Sequence, residues 1–122
     1  MATREEAIRE GTHALTPFCA SYTQAIEIIG RRWTGAIVRS MLSGAGRFSE
    51  ILAAVPGLSD RLLSERLKEL EQEGILERSV VPSTPVRIEY SLTEKGKGLA
   101  SVVHAVAQWA EAWAPGLEPP AS

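Results

Sequence analysis

One change of rhythm constrains this chain more than any other feature. Its apolar residues repeat with a helical period up to Gly74 and with a period of two beyond it. Leu63, Leu67 and Leu70 recur at i, i+4 and i+7, the spacing of a single buried stripe on an α-helix. Val86, Ile88, Tyr90 and Leu92 then alternate with Arg87, Glu89 and Ser91, the pattern of a strand covered on one face. Residues 75–81 supply its antiparallel partner, and Pro82, Ser83, Thr84 and Pro85 form the loop of the hairpin. A four-residue loop places Arg78 across from Glu89, a pairing that neutralises it.

The remaining elements follow from caps and breakers. Residues 3–10 read as a short polar helix ending near Gly11. Pro17 opens a second helix, in which Phe18, Tyr22, Ile26 and Ile29 recur at helical spacing up to Gly30. Trp33, Ile37 and Met41 mark a third helix over 33–42, stopped by Ser43 and Gly44. Phe48 and Ser49 read as the N′ and N-cap residues of a short fourth helix carrying Ile51, Leu52 and Val55, which Pro56 and Gly57 end. Ser59 caps the next, with Asp60 at its positive end and Gly74 past its last turn. Thr93 starts a final long helix through Trp113, and the prolines of 115–122 forbid its continuation.

The order is helices, a short helix, a tight Pro-Gly turn, a helix, a hairpin and a long helix. It predicts a mainly α fold with a small β-hairpin, a winged helix-turn-helix with extra N-terminal and long C-terminal helices at a dimer interface. The expected divisions are an arm over 1–16, a DNA-binding domain over 17–93, a dimerisation helix over 94–114 and a flexible tail over 115–122.

Two helices joined through Val55, Pro56, Gly57 and Leu58 are too close in sequence to lie antiparallel. They cross steeply, so the second can enter a major groove about 12 Å wide. With the three leucines turned inwards, Arg61, Glu65, Lys68 and Gln72 fall opposite and Leu62 and Ser64 on the flanks. Arg61 is suited to guanine O6 and N7, and Glu65 to cytosine N4. Ser59 and the amides beside it suit a phosphate. Arg66 lies nearer the core edge and suits a phosphate or an internal partner. Arg47 and Ser49 of the preceding helix complete the candidate DNA surface, with Arg78, Ser83, Thr84 and Arg87 of the hairpin. Arg61 and Glu65 are also an i, i+4 pair of the kind that decorates any solvated helix; the hairpin directly after the helix favours the DNA reading.

Charge supports this only locally. The net charge is -2, but residues 31–97 hold eleven Lys and Arg against nine Asp and Glu, and the flanks are acidic. No apolar run is long enough to cross a bilayer and the first residues do not resemble a secretion signal, so a cytoplasmic, nucleoid-associated protein is expected. A single cysteine excludes an intrachain disulfide. No catalytic group, metal site or cofactor is expected, since His13 and His104 have no carboxylate or cysteine at ligand spacing. A thiol enzyme built on Cys19 has no supporting motif, and a winged-helix module that binds only protein is the main rival reading.

In the last helix Leu99, Val102, Val106, Trp109 and Trp113 are spaced 3, 4, 3 and 4, two heptads of an apolar seam broadened by Val103, Ala107 and Ala110. With Phe18 and Tyr22 they are the candidate interface of a homodimer, which a reader of this size needs to span two half-sites of a palindromic operator. Cys19 falls near a helix start, where the dipole favours an anionic sulfur, and is the candidate redox-sensing residue. Its rival reading is a small buried hydrophobe.

These residues also carry a resemblance. Arg47-Phe48-Ser49-Glu50, Pro56-Gly57-Leu58-Ser59 and Glu89-Tyr90-Ser91-Leu92-Thr93, together with Cys19, Ile26, Gly30, Trp33, Leu63, Arg66-Leu67, Leu70-Glu71, Gly74-Ile75, Arg78, Gly96 and Trp109, resemble the HxlR family of winged-helix regulators over about residues 17–113. The resemblance implies a dimeric bacterial repressor or activator without enzymatic activity. It also implies a sensing role for an early cysteine, the place that Cys19 occupies. The wing departs from the family, in which two prolines are often adjacent; here Ser83 and Thr84 separate Pro82 from Pro85. No residue pattern identifies a small-molecule effector or an operator.

Overall fold

Leu63, Leu67 and Leu70 lie at the centre of the structure, none more than 2% exposed. The computed structural model describes residues 19–114. The chain divides into two compact units between Arg31 and Arg32. The first contributes one described helix, α1 (Ala20–Ile29), which starts three residues after Pro17, with Cys19 as its extended N-cap. None of its residues is buried, and Tyr22 and Ile26 are exposed.

The second unit holds α2 (Thr34–Leu42), α3 (Phe48–Ala54), α4 (Asp60–Gln72), β1 (Leu76–Val81), β2 (Arg87–Leu92), a short α5 (Glu94–Lys97) and α6 (Ala100–Trp113). Its core joins Ile37, Val38 and Met41 of α2 to Ile51 of α3, Val55 and Leu58 of the turn, the three leucines of α4, and Ile75 and Leu76. Each such side chain contributes roughly 1.5–3 kcal/mol when withdrawn from water. Helix α4 packs on α3 and β1, and α6 packs on α2. Trp33 precedes α2 in the left-handed region at φ 77°.

Helix α4 has a complete frame. The Ser59 hydroxyl accepts from Leu62 N–H at 3.2 Å. At the other end Gly74, at φ +72°, donates to Glu71 O and Ile75 donates to Leu70 O, the paired bonds of a Schellman stop. Lys95 Nζ reaches Glu73 O at 2.6 Å, a cation at the negative end of the helix.

Three expectations are corrected. The N-cap of α3 is Arg47, not Ser49, because Glu50 reaches back to accept from Gly46 N–H and Arg47 N–H, both at 2.9 Å. One carboxylate thereby satisfies two amides, where a serine hydroxyl satisfies one. Second, the hairpin pairs Val81 with Arg87 and Arg78 with Tyr90. The loop therefore takes residues 82–86, with Val86 exposed outside the strand, and Arg78 does not face Glu89. Glu89 instead lies across from Ser79 and takes an ion pair from Arg87 at 3.2 Å. Within the loop Ser83 Oγ donates to Pro85 O at 2.7 Å.

Third, the last helix is two, α5 and α6. Gly96 lies so close to Ile75 that a Cβ there would collide with the Ile75 carbonyl. Leu99 N–H closes a tighter turn onto Gly96 O at 3.0 Å. Two glycines, at 96 and 98, leave that stretch with little helix propensity to resist the break.

Candidate nucleic-acid interface

The buried stripe of α4 sets what its other side presents. Arg61, Ser64, Glu65 and Lys68 are exposed, and Leu62 is half-buried. Arg61 Nε meets Glu65 Oε1 at 3.4 Å, with the arginine side chain 90% exposed. Such a pair adds little to stability and leaves both groups accessible. Arg66 is different. Its Nε donates to Arg32 O and its Nη1 to Glu69 Oε1, both at 2.9 Å. The first bond ties the middle of α4 to the residues just before α2 and the second stays within α4, so Arg66 has internal partners.

Helix α3 brings Arg47 and Ser49, both exposed, to its first turn. Hydrogen bonds from the Gly46 and Arg47 amides, in that order, hold the Glu50 carboxyl below its ordinary pKa. The same short loop anchors the wing, since Tyr90 N–H donates to Gly46 O at 2.7 Å. At the foot of the hairpin Thr93 N–H donates to Ile75 O, while its hydroxyl bonds Gly74 O at 2.5 Å and accepts from Gly96 N–H. The wing is thus pinned to the beginning of α3 and to the end of α4.

On the hairpin Ser83 and Thr84 are exposed in the loop, Arg87 is paired with Glu89, and Arg78 lies at mid-strand. Side chains alternate along each strand, so Leu76, Arg78 and Val80 share one face with their partners Leu92, Tyr90 and Ile88. The face is apolar at its buried foot, where Leu76 is 1% exposed, and carries a charge one step further out.

Sequence reasoning missed Glu50, Thr93 and Lys95 as the groups that hold these elements. Glu50 stands three residues after Arg47, the spacing of a capping box, and that signal was available. The contacts of Thr93 and Lys95 join residues about twenty apart and leave no local pattern.

Of the other candidates, Tyr22, Val102, Val106, Trp109 and Trp113 are exposed, whereas Leu99 is half-buried. Val103, Ala107 and Ala110 are half-buried along α6. Cys19 is a free thiol of intermediate exposure. His104 is exposed, and the described residues hold no cluster of three or more metal-ligating side chains. Phe18 and His13 lie outside the described residues, as do the arm over 1–16 and the tail over 115–122. No described helix is long and apolar enough to cross a membrane.

Two helices meeting at a tight turn, the second exposed along one side and followed by a pinned two-stranded wing, define a winged helix-turn-helix protein. Residues 28–118 match the HxlR-like helix-turn-helix family. The chain belongs to that family of transcriptional regulators.

It is 55% identical over 95 residues to the HTH-type transcriptional regulator YvaP of Bacillus subtilis, an alignment covering 78% of this chain and 88% of YvaP. With the HTH-type transcriptional regulator YodB of the same organism it shares 44% over 93 residues, 76% of this chain and 83% of YodB. The solved structure of reduced YodB superposes with a TM-score of 0.71 at 40% identity, covering 83% of this chain and 99% of that one. The redox regulator HypR in its reduced form gives 0.71 at 34%, covering 76% and 92%.

Proposed function

We propose that the protein binds palindromic operator DNA as a homodimer, inserting the N-terminal half of α4 into the major groove, and that it catalyses no reaction. The observation that carries this reading is the division of α4 into a fully buried leucine stripe and an exposed side bearing Arg61, Ser64, Glu65 and Lys68, beside a pinned wing. Arg61 and Glu65 then read base edges, and Arg47, Ser49, Ser59, Ser83 and Thr84 take backbone contacts.

The dimer reading rests on α6. Its half-buried side chains leave Val106, Trp109 and Trp113 with more than half their surface in water, at 62%, 61% and 77%. Contiguous apolar surface of this kind marks an interaction site. A cytoplasmic, nucleoid-associated location follows from an operator as partner.

The test is selection of duplexes from random DNA, followed by affinity measurement at two salt concentrations. A selected sequence bound far more tightly than its scrambled version, with affinity falling as salt rises, is the expected result. Equal affinity for both sequences sinks the operator reading.

A second reading is favoured by the relatives, since YodB is known in reduced, diamide-treated and quinone-bound forms and HypR in reduced and oxidised forms. Cys19, at the N-cap of α1, is the residue that would carry an oxidant or electrophile response here. Operator affinity unchanged between oxidised and reduced protein, or unaltered by Cys19→Ser under oxidant, would overturn it.

A further inference from the structure

The corrected register of the hairpin leaves a cation in an unexpected place. The Arg78 side chain has no ion pair or hydrogen bond among the described residues, and neither has that of Lys68. Both line one notch of about 350 Å³ between α4 and the wing, together with Ser64, Leu67, Glu71 and Tyr90. Its construction follows from two periodicities. Ser64, Lys68 and Glu71 stand at i, i+4 and i+7, one stripe of α4, and form one wall. The cross-strand pair Arg78 and Tyr90 forms the other. Leu67, 2% exposed, is the floor.

B-form geometry supplies the occupant. When α4 lies in the major groove, the wing flanks it over the neighbouring backbone. The sugar-phosphate strand that bounds the groove must then pass between the two, across this notch. We infer that the notch between α4 and the wing seats one phosphodiester of that strand, with Lys68 and Arg78 as its cations and the Ser64 hydroxyl as a donor. The inference rests on the DNA-binding reading above and adds to it a defined seat and a tuning charge. Glu71, about 4.5 Å further along the helix axis than Lys68, sets a carboxylate at one end of the seat. It opposes the phosphate, so the seat holds the backbone less tightly than its two cations alone would.

A phosphate contact carries no sequence information, whereas a base contact does. Lys68→Ala and Arg78→Ala should therefore weaken binding by the same factor on the selected operator duplex and on its scrambled version. Combined in one double variant, they should also reduce the salt slope by about 0.9, the share of one phosphate. Between about 50 and about 200 mM salt the wild-type affinity should thus fall roughly 3.5-fold further than that of the double variant. Glu71→Gln should tighten binding to both duplexes, a gain that a misfolded variant cannot mimic.

Neutralising single phosphates of the operator as methylphosphonates should reveal a position that weakens the wild type but costs Arg78→Ala little more. Thermal melting of each variant at the wild-type temperature confirms the fold. A wild type that binds no duplex would refute the DNA reading itself. A wild type that binds while all three substitutions leave affinity and salt slope unchanged, or alter the operator complex alone, overturns the phosphate seat and leaves the DNA reading standing.

Discussion

Glu50 shows how much one exposed side chain arranges. Its carboxylate holds the amides of Gly46 and Arg47, and those amides lie where the chain turns into α3. Because the bonds favour the charged form, the folded carboxyl titrates below its ordinary range. The stabilisation that results is present above the unfolded pKa and disappears as pH falls through the folded one. Glu50→Gln should accordingly lower the melting temperature most at neutral pH, with the gap to wild type closing in acid. A gap of constant size across that range would show that the charge contributes nothing. Arg61 is the opposite case. Its side chain is almost wholly in solvent, and its pair with Glu65 is of the exposed kind worth about 0.2–1 kcal/mol. Arg61→Ala should leave thermal stability within about 1 kcal/mol of wild type while weakening operator binding roughly tenfold or more, as loss of a bidentate base contact does. Calorimetry and anisotropy on the same sample check both halves.

Among the elements, what was legible in the sequence is what repeats locally. Leu63, Leu67 and Leu70 announced α4 and its buried face, and Ser59 announced its start. The alternation from Val86 to Leu92 announced a strand. The register of that strand was not legible, because it depends on how many residues the loop consumes, and Val86 is apolar whether it belongs to strand or loop. The break before α6 was hidden for another reason. Gly96 looks like a weak helix residue in isolation, and only the approach of Ile75 from elsewhere in the chain makes it indispensable. Gly96→Ala must push the Ile75 carbonyl aside, disturbing the Thr93 contacts that fasten α4 to the wing. A loss of about 2 kcal/mol or more is expected, a fall of roughly 8 °C or more in the melting temperature of a domain of this size. Melting within about 1 °C of wild type would show that the joint relaxes freely.

At the level of the whole molecule, the candidate DNA residues and the exposed apolar residues of α6 make separate demands. On the proposed function, the first set works on one protomer, and the second decides whether two half-sites are read together. Trp109→Ala with Trp113→Ala should abolish the dimer while sparing the fold, since neither ring is buried. Light scattering should report the monomer mass and operator affinity should fall by at least about tenfold; an unchanged dimer mass assigns the interface elsewhere. The heptad spacing of these residues was plain in the sequence, but which of them turn outwards was settled by the packing of α6 on α2. Gly46 has a last consequence. The same residue gives its N–H to the carboxylate that starts α3 and its C=O to Tyr90 of the wing, so adding or deleting a residue beside it shifts α3 and the wing at once. The turn at 82–86 is under no such obligation. If the proposed function holds, evolution, or an engineer, can lengthen, shorten or transplant that tip to retune contact with the operator flanks, while the spacing around Gly46 stays fixed.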